Sequence, residues 1–171
     1  MLKDWNKVEQ PTAEEVDKRL ANAKNSLLQQ QIAMKEKKLP VSVLLEGWGA
    51  AGKGSVLGKL IKNIDPRFFK VAVMDEPTEE EKRKPFLYRH FVKIPEAGKF
   101  VFMDSGWMSE VTSQKLSGEL SEEEYKKRIE SIKRFERQLT DNGYLLLKFF
   151  FNIDKKEQKK RLKKLVEDKN T

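Results

Sequence analysis

The chain has 171 residues, with 35 Lys+Arg against 27 Asp+Glu, a formal net charge of +8, no cysteine and one histidine. That length fits one domain with a core of its own, and the missing cysteines exclude disulfide frameworks, thiol chemistry and Cys-ligated zinc. With one histidine, a Ser-His-Asp triad or a His-based metal site is disfavoured, and the positive balance favours a polyanionic partner such as nucleotide, nucleic acid, phosphate polymer or anionic lipid.

Residues 1–11, which include Trp5, read as a disordered or extended start without the apolar core of a signal peptide. Thr12-Ala13-Glu14-Glu15 is a capping box that opens a helix to about Lys38. Val16, Leu20, Ala23, Leu27 and Met34 recur there at helical spacing and form one apolar stripe for packing against the domain or a partner helix. Pro40 stops that helix, and Val41–Glu46 is a short branched apolar run, read as a buried strand. A helix is expected from about Lys53 to Asn63, a turn at Asp65-Pro66-Arg67 and a second strand at Lys70–Met74. Thr78-Glu79-Glu80-Glu81 is a second capping box, ahead of a helix carrying Phe86, Leu87, Phe91 and Ile94 that Pro85 must kink or delay.

Lys99–Asp104 reads as a third strand that ends on a carboxylate, followed by a polar stretch. Ser121-Glu122-Glu123-Glu124 caps a helix running to the stop signal Asn142-Gly143. Tyr144–Ile153 is the longest apolar run, a fourth strand with Phe149, Phe150 and Phe151 as core. Asp154 caps a last helix whose residues 155–164 hold seven Lys/Arg and one Glu. Strands alternate with helices, so the fold class is α/β with a mainly parallel sheet flanked by helices. No run approaches the ~20 apolar residues of a membrane span, and with no cysteine a soluble, cytoplasmic protein is expected.

The strongest chemical signal is Gly47-Trp48-Gly49-Ala50-Ala51-Gly52-Lys53-Gly54-Ser55. It contains GxxxxGK after a strand and before a helix, the context that a P-loop requires. Glycines let the loop curl so that backbone N–H groups from Gly49, Ala50, Ala51, Gly52, Lys53 and Gly54 aim at phosphate oxygens, the helix start adds its positive end, and Lys53 supplies an ammonium. Position eight is Gly54, where a metal-binding Ser or Thr is usual; Ser55 comes one residue late and would point elsewhere. Asp104, at the end of the third strand, is then the candidate metal-linked acid, with helix or turn capping as its alternative role.

Leu45–Gly54, Asp65-Pro66-Arg67, Pro77-Thr78-Glu79 with Lys82, Tyr88-Arg89, Ile94-Pro95 and Asp104-Ser105-Gly106-Trp107 together resemble, in order, the landmarks of the polyphosphate kinase 2 family over residues 12–167. The resemblance implies a three-layer P-loop kinase-like fold and phosphoryl transfer between inorganic polyphosphate and a nucleotide, AMP or ADP, with Mg2+. By position, Lys53 and the loop amides would hold phosphate, Asp104 would hold metal, and Arg89 and Lys82 would contact donor or acceptor phosphates unless they are solvated helix charges. Trp107 is packing or ligand contact, and His90 a packed or solvated helix residue.

The family usually has Asp where this chain has Gly49, and Arg where it has Ser105. Both changes are typical of the degenerate N-terminal half of tandem polyphosphate:AMP enzymes, the nearest branch. The expected layout is therefore a single P-loop domain over 12–171, truncated at Lys169-Asn170-Thr171, with a homo-oligomer or tandem-domain partner. Its own activity would be weakened, leaving a structural, dimerising or polyphosphate-holding role as the alternative. A basic nucleic-acid-binding module is the less favoured reading, since the 155–164 run suits phosphate contacts but no recognition motif accompanies it.

Overall fold

A computed structural model describes residues 11–168; Trp5 and the last three residues, on which two sequence expectations fall, lie outside the described residues. The elements in chain order are α1 (Ala13–Glu36), β1 (Val41–Gly47), α2 (Lys53–Ile61), β2 (Phe69–Val73), α3 (Glu79–Lys82), α4 (Tyr88–Phe91), β3 (Phe100–Asp104), α5 (Trp107–Leu116), α6 (Glu122–Asp141), β4 (Leu145–Phe151) and α7 (Lys155–Glu167). Thr12, Thr78 and Ser121 each close a reciprocal capping box with the glutamate three residues on.

The four strands form one parallel sheet in the order β2-β3-β1-β4. The central strands β1 and β3 are buried on both faces, which explains why they read as continuous apolar runs. Leu44, Val101 and Met103 face α5 and α6 and meet Trp107, Val111, Ile132, Phe135 and Leu139. On the other face Val41, Val43, Leu45, Phe100 and Phe102 meet Met34 of α1, Leu57 of α2 and Ile64. Each such large apolar side chain contributes about 1.5–3 kcal/mol when fully buried. The result is three layers, with helices on both faces of the sheet.

Four expectations are corrected. The helix after Thr78 is two single turns, α3 and α4, because Pro85 between them has no N–H and disfavours helix in the residue before it. α2 ends at Ile61, two residues short of Asn63. The polar stretch after Asp104 is a helix, α5; its start at Gly106 has no side-chain cap, and its apolar anchors are Trp107 and Val111, one helical turn apart and both fully buried. The Phe149-Phe150-Phe151 run is not all core: β4 is an outer strand of the described sheet, and Phe149 and Phe150 are half exposed (50% and 57%).

α1 is held by its C-terminal part. Gln31, buried, donates through Nε2 to the Asn63 carbonyl at 3.0 Å, and its Oε1 accepts the Asp65 N–H at 3.1 Å. The Lys35 ammonium sits 4.9 Å from the centre of the Phe68 ring. From Pro11 to Ser26 every residue is exposed.

Candidate active site

The register of β1 on β3 builds the site. Leu45 is paired with Asp104, so the carboxylate that ends β3 stands next to the strand end that feeds the glycine loop. A cleft of about 440 Å3 opens there, lined by Ala50, Ala51, Gly52, Lys53, Gly54, Ser55, Val73, Met74, Asp104 and Ser105. Five of the six loop residues expected to hold phosphate line it, as does Asp104. Gly49 lies on the α7 side of the loop, where its carbonyl accepts from Gln158 Nε2 at 3.1 Å. Ser55 lines the cleft as well, contrary to its expected orientation, because α2 starts at the cleft and its first turn faces it.

The backbone of the loop sorts its donors from its acceptors. Lys53 Nζ donates to the Gly47 carbonyl at 3.1 Å and the Trp48 carbonyl at 3.3 Å. Arg161 of α7 donates to the carbonyls of Ala50 and Ala51 at 3.3 and 3.4 Å. The Gly52 carbonyl accepts the Val56 N–H at 3.1 Å. By contrast the N–H groups of Gly49, Ala50, Gly52, Lys53, Gly54 and Ser55 have no protein acceptor among the described residues. Amides at a helix start have no partner within the helix. A row of them, on exposed and half-buried residues beside an ammonium, is an anion cradle. Left-handed backbone at Ala50 (φ 60°) and Gly52 (φ 99°) makes the curl.

The hinge into this loop is Gly47. Its φ is 133°, and a Cβ there would lie 2.3 Å from the Phe151 carbonyl oxygen and 2.8 Å from the Phe151 nitrogen. Only glycine lets β1 approach β4 so closely. The Trp48 N–H then bonds the same Phe151 carbonyl at 3.3 Å, and Trp48 Nε1 donates to Asn152 Oδ1 at 2.9 Å.

On the other side of the loop, Glu46 is buried under the start of α5. It accepts the Ser109 hydroxyl hydrogen bond, while its Oε1 has no partner. A carboxylate at a helix N-terminus is favoured by the helix dipole, and Glu46 stands at the start of α5, which has no side-chain cap. Gly106 itself is required by space: a Cβ there would come within 2.7 Å of Glu46 Oε1 and of Leu44 Cδ2. Ser105, between Asp104 and Gly106, adopts φ 66°.

Arg89 and Lys82 do not line the cleft. Arg89 is buried, donates to the Asp75 carbonyl, and lies 3.9 Å from a Glu81 oxygen and 3.8 Å from a Glu110 oxygen. His90, fully buried, bonds Glu110 through Nε2 at 2.9 Å and meets the Trp107 ring edge-on. Lys93 donates to the Val73 carbonyl at 3.4 Å. Together these side chains fix the exit of β2, the wall of the cleft opposite the loop. Lys82 is exposed and paired with Glu79 at 2.7 Å. Trp107 is packing, with Nε1 donating to Glu136 at 2.9 Å. Sequence reasoning missed Glu46, Ser109, Gln158 and Arg161 as supports; the GxxxxGK pattern points only at the loop they hold.

The Asp104 carboxylate has no hydrogen-bond or ion-pair partner of the protein among the described residues. Mg2+ commonly takes one or two carboxylates and completes its shell with water and substrate phosphates. A lone carboxylate at an open cleft fits that mode, and no cluster of three or more His, Asp or Glu offers a cage instead among the described residues.

A family model for polyphosphate kinase 2 matches residues 10–170. The chain belongs to the polyphosphate kinase 2 family. It is 30% identical over 151 residues to ADP-polyphosphate phosphotransferase 3 of Rhizobium meliloti, covering 88% of this chain and 53% of that protein. It is 33% identical over 153 residues to the polyphosphate:AMP phosphotransferase of Pseudomonas aeruginosa, covering 89% of this chain and 31% of that protein. A crystal structure assigned to polyphosphate kinase 2 from Pseudomonas aeruginosa superposes with a TM-score of 0.87 at 29% identity, over 95% of this chain and 35% of that one. The chain thus spans about half or less of the length of these relatives. No helix of the described residues is long and apolar enough to cross a membrane.

Proposed function

We propose that the cleft between the glycine loop and Asp104 binds phosphoryl chains and serves polyphosphate-dependent phosphoryl transfer to a nucleotide, AMP or ADP, with the turnover of this domain weakened. The observation that carries the reading is the pairing of Leu45 with Asp104, which sets an unpartnered carboxylate across one cleft from Lys53 and the unpaired loop amides. In such a transfer a terminal P–O bond of the chain breaks while an acceptor phosphate oxygen takes the phosphoryl group, and catalysis is mostly positioning and charge neutralisation. The loop amides would orient the chain, Lys53 would offset its charge, and Asp104 would hold the metal. A bound Mg2+ would neutralise phosphate oxygens.

The weakening rests on two positions. Ser105 lines the cleft and Gly49 lies on the α7 side of the glycine loop, and at these positions the family pattern has a guanidinium and an acid. Losing one preorganised charge-stabilising group costs on the order of 10²–10³ in rate. Space is available for repair at Gly49: the nearest atom to a Cβ there is Gln158 Nε2 at 3.9 Å. The test is turnover of the chain with polyphosphate, Mg2+ and AMP or ADP. Slow turnover that is lost in Lys53→Ala and raised in Gly49→Asp/Ser105→Arg supports the proposal. Vigorous turnover that ignores Lys53 overturns it. Binding of polyphosphate without turnover, even in the repaired variant, would favour a phosphate-holding half of a longer enzyme. The bracing of the loop by Gln158 and Arg161 of α7 is the observation that favours this second role, since it keeps the cradle formed whatever the chemistry.

A further inference from the structure

Trp48 and Phe150 are large aromatic side chains outside the core. Neither belongs to the apolar clusters on the two faces of the sheet, and they are 42% and 57% exposed. Their rings meet edge to face, with centroids 5.9 Å apart and planes at 81°. Trp48 is also held in place: its Nε1 donates to Asn152 Oδ1 at 2.9 Å, and its N–H bonds the Phe151 carbonyl at 3.3 Å. The pair is therefore a half-open, right-angled corner at the end of β4. A planar ring can lie on one wall and abut the other, the two favoured aromatic geometries.

The place of the corner points to the kind of ring. Trp48 is the second residue of the glycine loop, and its carbonyl accepts from both Lys53 Nζ and the Ala51 N–H, at 3.3 and 3.2 Å. The bonded Ala51 amide divides the free amides of the loop into two groups. Those of Gly52, Lys53, Gly54 and Ser55 open α2 at the cleft. Those of Gly49 and Ala50 come directly after Trp48, and Arg161 stands beside them through its bonds to the Ala50 and Ala51 carbonyls. Two amides that can take a phosphate, adjoining an aromatic corner, match a ligand with an aromatic ring at one end and phosphates at the other. That ligand is a nucleotide. An inorganic phosphate chain has no use for the aromatic walls, and a purely apolar partner has none for the amides.

We propose that Trp48 and Phe150 form a base-stacking site for the nucleotide. Its phosphates lie on the Gly49 and Ala50 amides, directed along the loop at a phosphate chain held by the amides of Gly52 to Ser55. This rests on the reading of the cleft given above and adds where the base goes. Stacking tolerates any base, because each has a π-face, so the site takes nucleotides as a class rather than adenine alone.

The test is calorimetric titration of the 171-residue chain with ADP, GDP and inorganic tripolyphosphate, repeated on Trp48→Ala, Trp48→Phe and Phe150→Ala, with circular dichroism to confirm folding. Trp48→Ala should weaken ADP and GDP alike, by about 5–150-fold, the worth of one stacked base, and leave tripolyphosphate affinity unchanged. Trp48→Phe keeps a ring and should retain most of the nucleotide affinity. Phe150→Ala should weaken both nucleotides while sparing tripolyphosphate, and it carries the test if Trp48→Ala does not fold. Unchanged ADP affinity in Trp48→Ala and Phe150→Ala overturns the proposal. So does an equal loss of ADP and tripolyphosphate, which would make Trp48 a brace of the loop, or a parent chain that binds no ADP. The reading of the cleft fails separately: tripolyphosphate that does not bind, beside ADP that still depends on Trp48, would remove the phosphate chain from the cleft and leave the stacking site standing.

Discussion

Replacing Gly47 by alanine tests how the loop is mounted. The added methyl would lie 2.3 Å from the Phe151 carbonyl oxygen, 2.8 Å from its nitrogen and 2.9 Å from its carbon. All three are backbone atoms of β4, so relief requires a strand to shift rather than a side chain to turn. Overpacking of this kind costs about 1–3 kcal/mol, and forcing an L residue to φ 133° adds roughly 1–3 kcal/mol. The variant should lose about 3 kcal/mol, a large share of the 5–15 kcal/mol that holds a typical domain. Gly58→Ala is the control. Gly58 lies inside α2, a Cβ there meets nothing within 4 Å, and its φ is ordinary. That change should stabilise by about 0.5–1 kcal/mol, the helix preference of alanine over glycine. Urea unfolding read by circular dichroism separates the two. With a slope of about 1–3 kcal/mol per M, the Gly47→Ala midpoint should fall by roughly 1–3 M, while that of Gly58→Ala should rise by a few tenths. Equal midpoints for Gly47→Ala and the parent chain would refute the close approach of β1 to β4 on which the loop geometry depends.

Glu46→Ala should destabilise by about 2 kcal/mol, because it strands the half-buried Ser109 hydroxyl and removes the carboxylate at the start of α5; the same urea measurement reads it, and an unchanged midpoint would refute its support of α5. Gln31→Leu should cost about 1–3 kcal/mol by leaving the Asp65 N–H and the Asn63 carbonyl without their partner, and hydrogen exchange should report earlier opening of α1 than of the sheet. Asp65 carries the pH dependence. Hydrogen bonds from the Arg67 side chain and backbone hold its carboxyl down to about 2, against an ordinary value of 3.8. A lowered folded value means that the ionised carboxylate contributes stability above 3.8 and loses it as the pH falls toward 2. The stability difference between the parent chain and Asp65→Asn should therefore shrink across that window, and a difference that stays flat would contradict the pairing.

What the sequence made legible was local. Three capping boxes, the glycine loop between a buried strand and a helix, and a strand ending on Asp104 are each written in a few adjacent residues. The strand order is not, because parallel strands are joined by crossovers and their pairing leaves no local mark. This is also why β4 reads as buried: Phe149 and Phe150 carry the composition of a core strand, but their exposure is set by an outer place in the sheet. The setting of Arg89 is not legible in the sequence for a related reason. A charged residue on a short helix looks the same whether it reaches a ligand or, as here, turns inward to Asp75, Glu81 and Glu110. In the basic run 155–164, Arg161 differs from its neighbours only by the helical phase that brings it onto the loop carbonyls. α5 escaped detection because its start has no capping side chain and its buried face is two residues wide.

Calorimetric titration of the chain with a short inorganic polyphosphate, repeated on Lys53→Met, tests the cleft most directly. A hydrogen bond to a charged group is worth about 1.5–3 kcal/mol, so the parent chain should bind and the variant should bind about 10–100-fold more weakly. Equal affinity in both, or a loss that appears only when Lys159 and Lys160 of α7 are neutralised, would place the phosphate chain elsewhere and contradict the account.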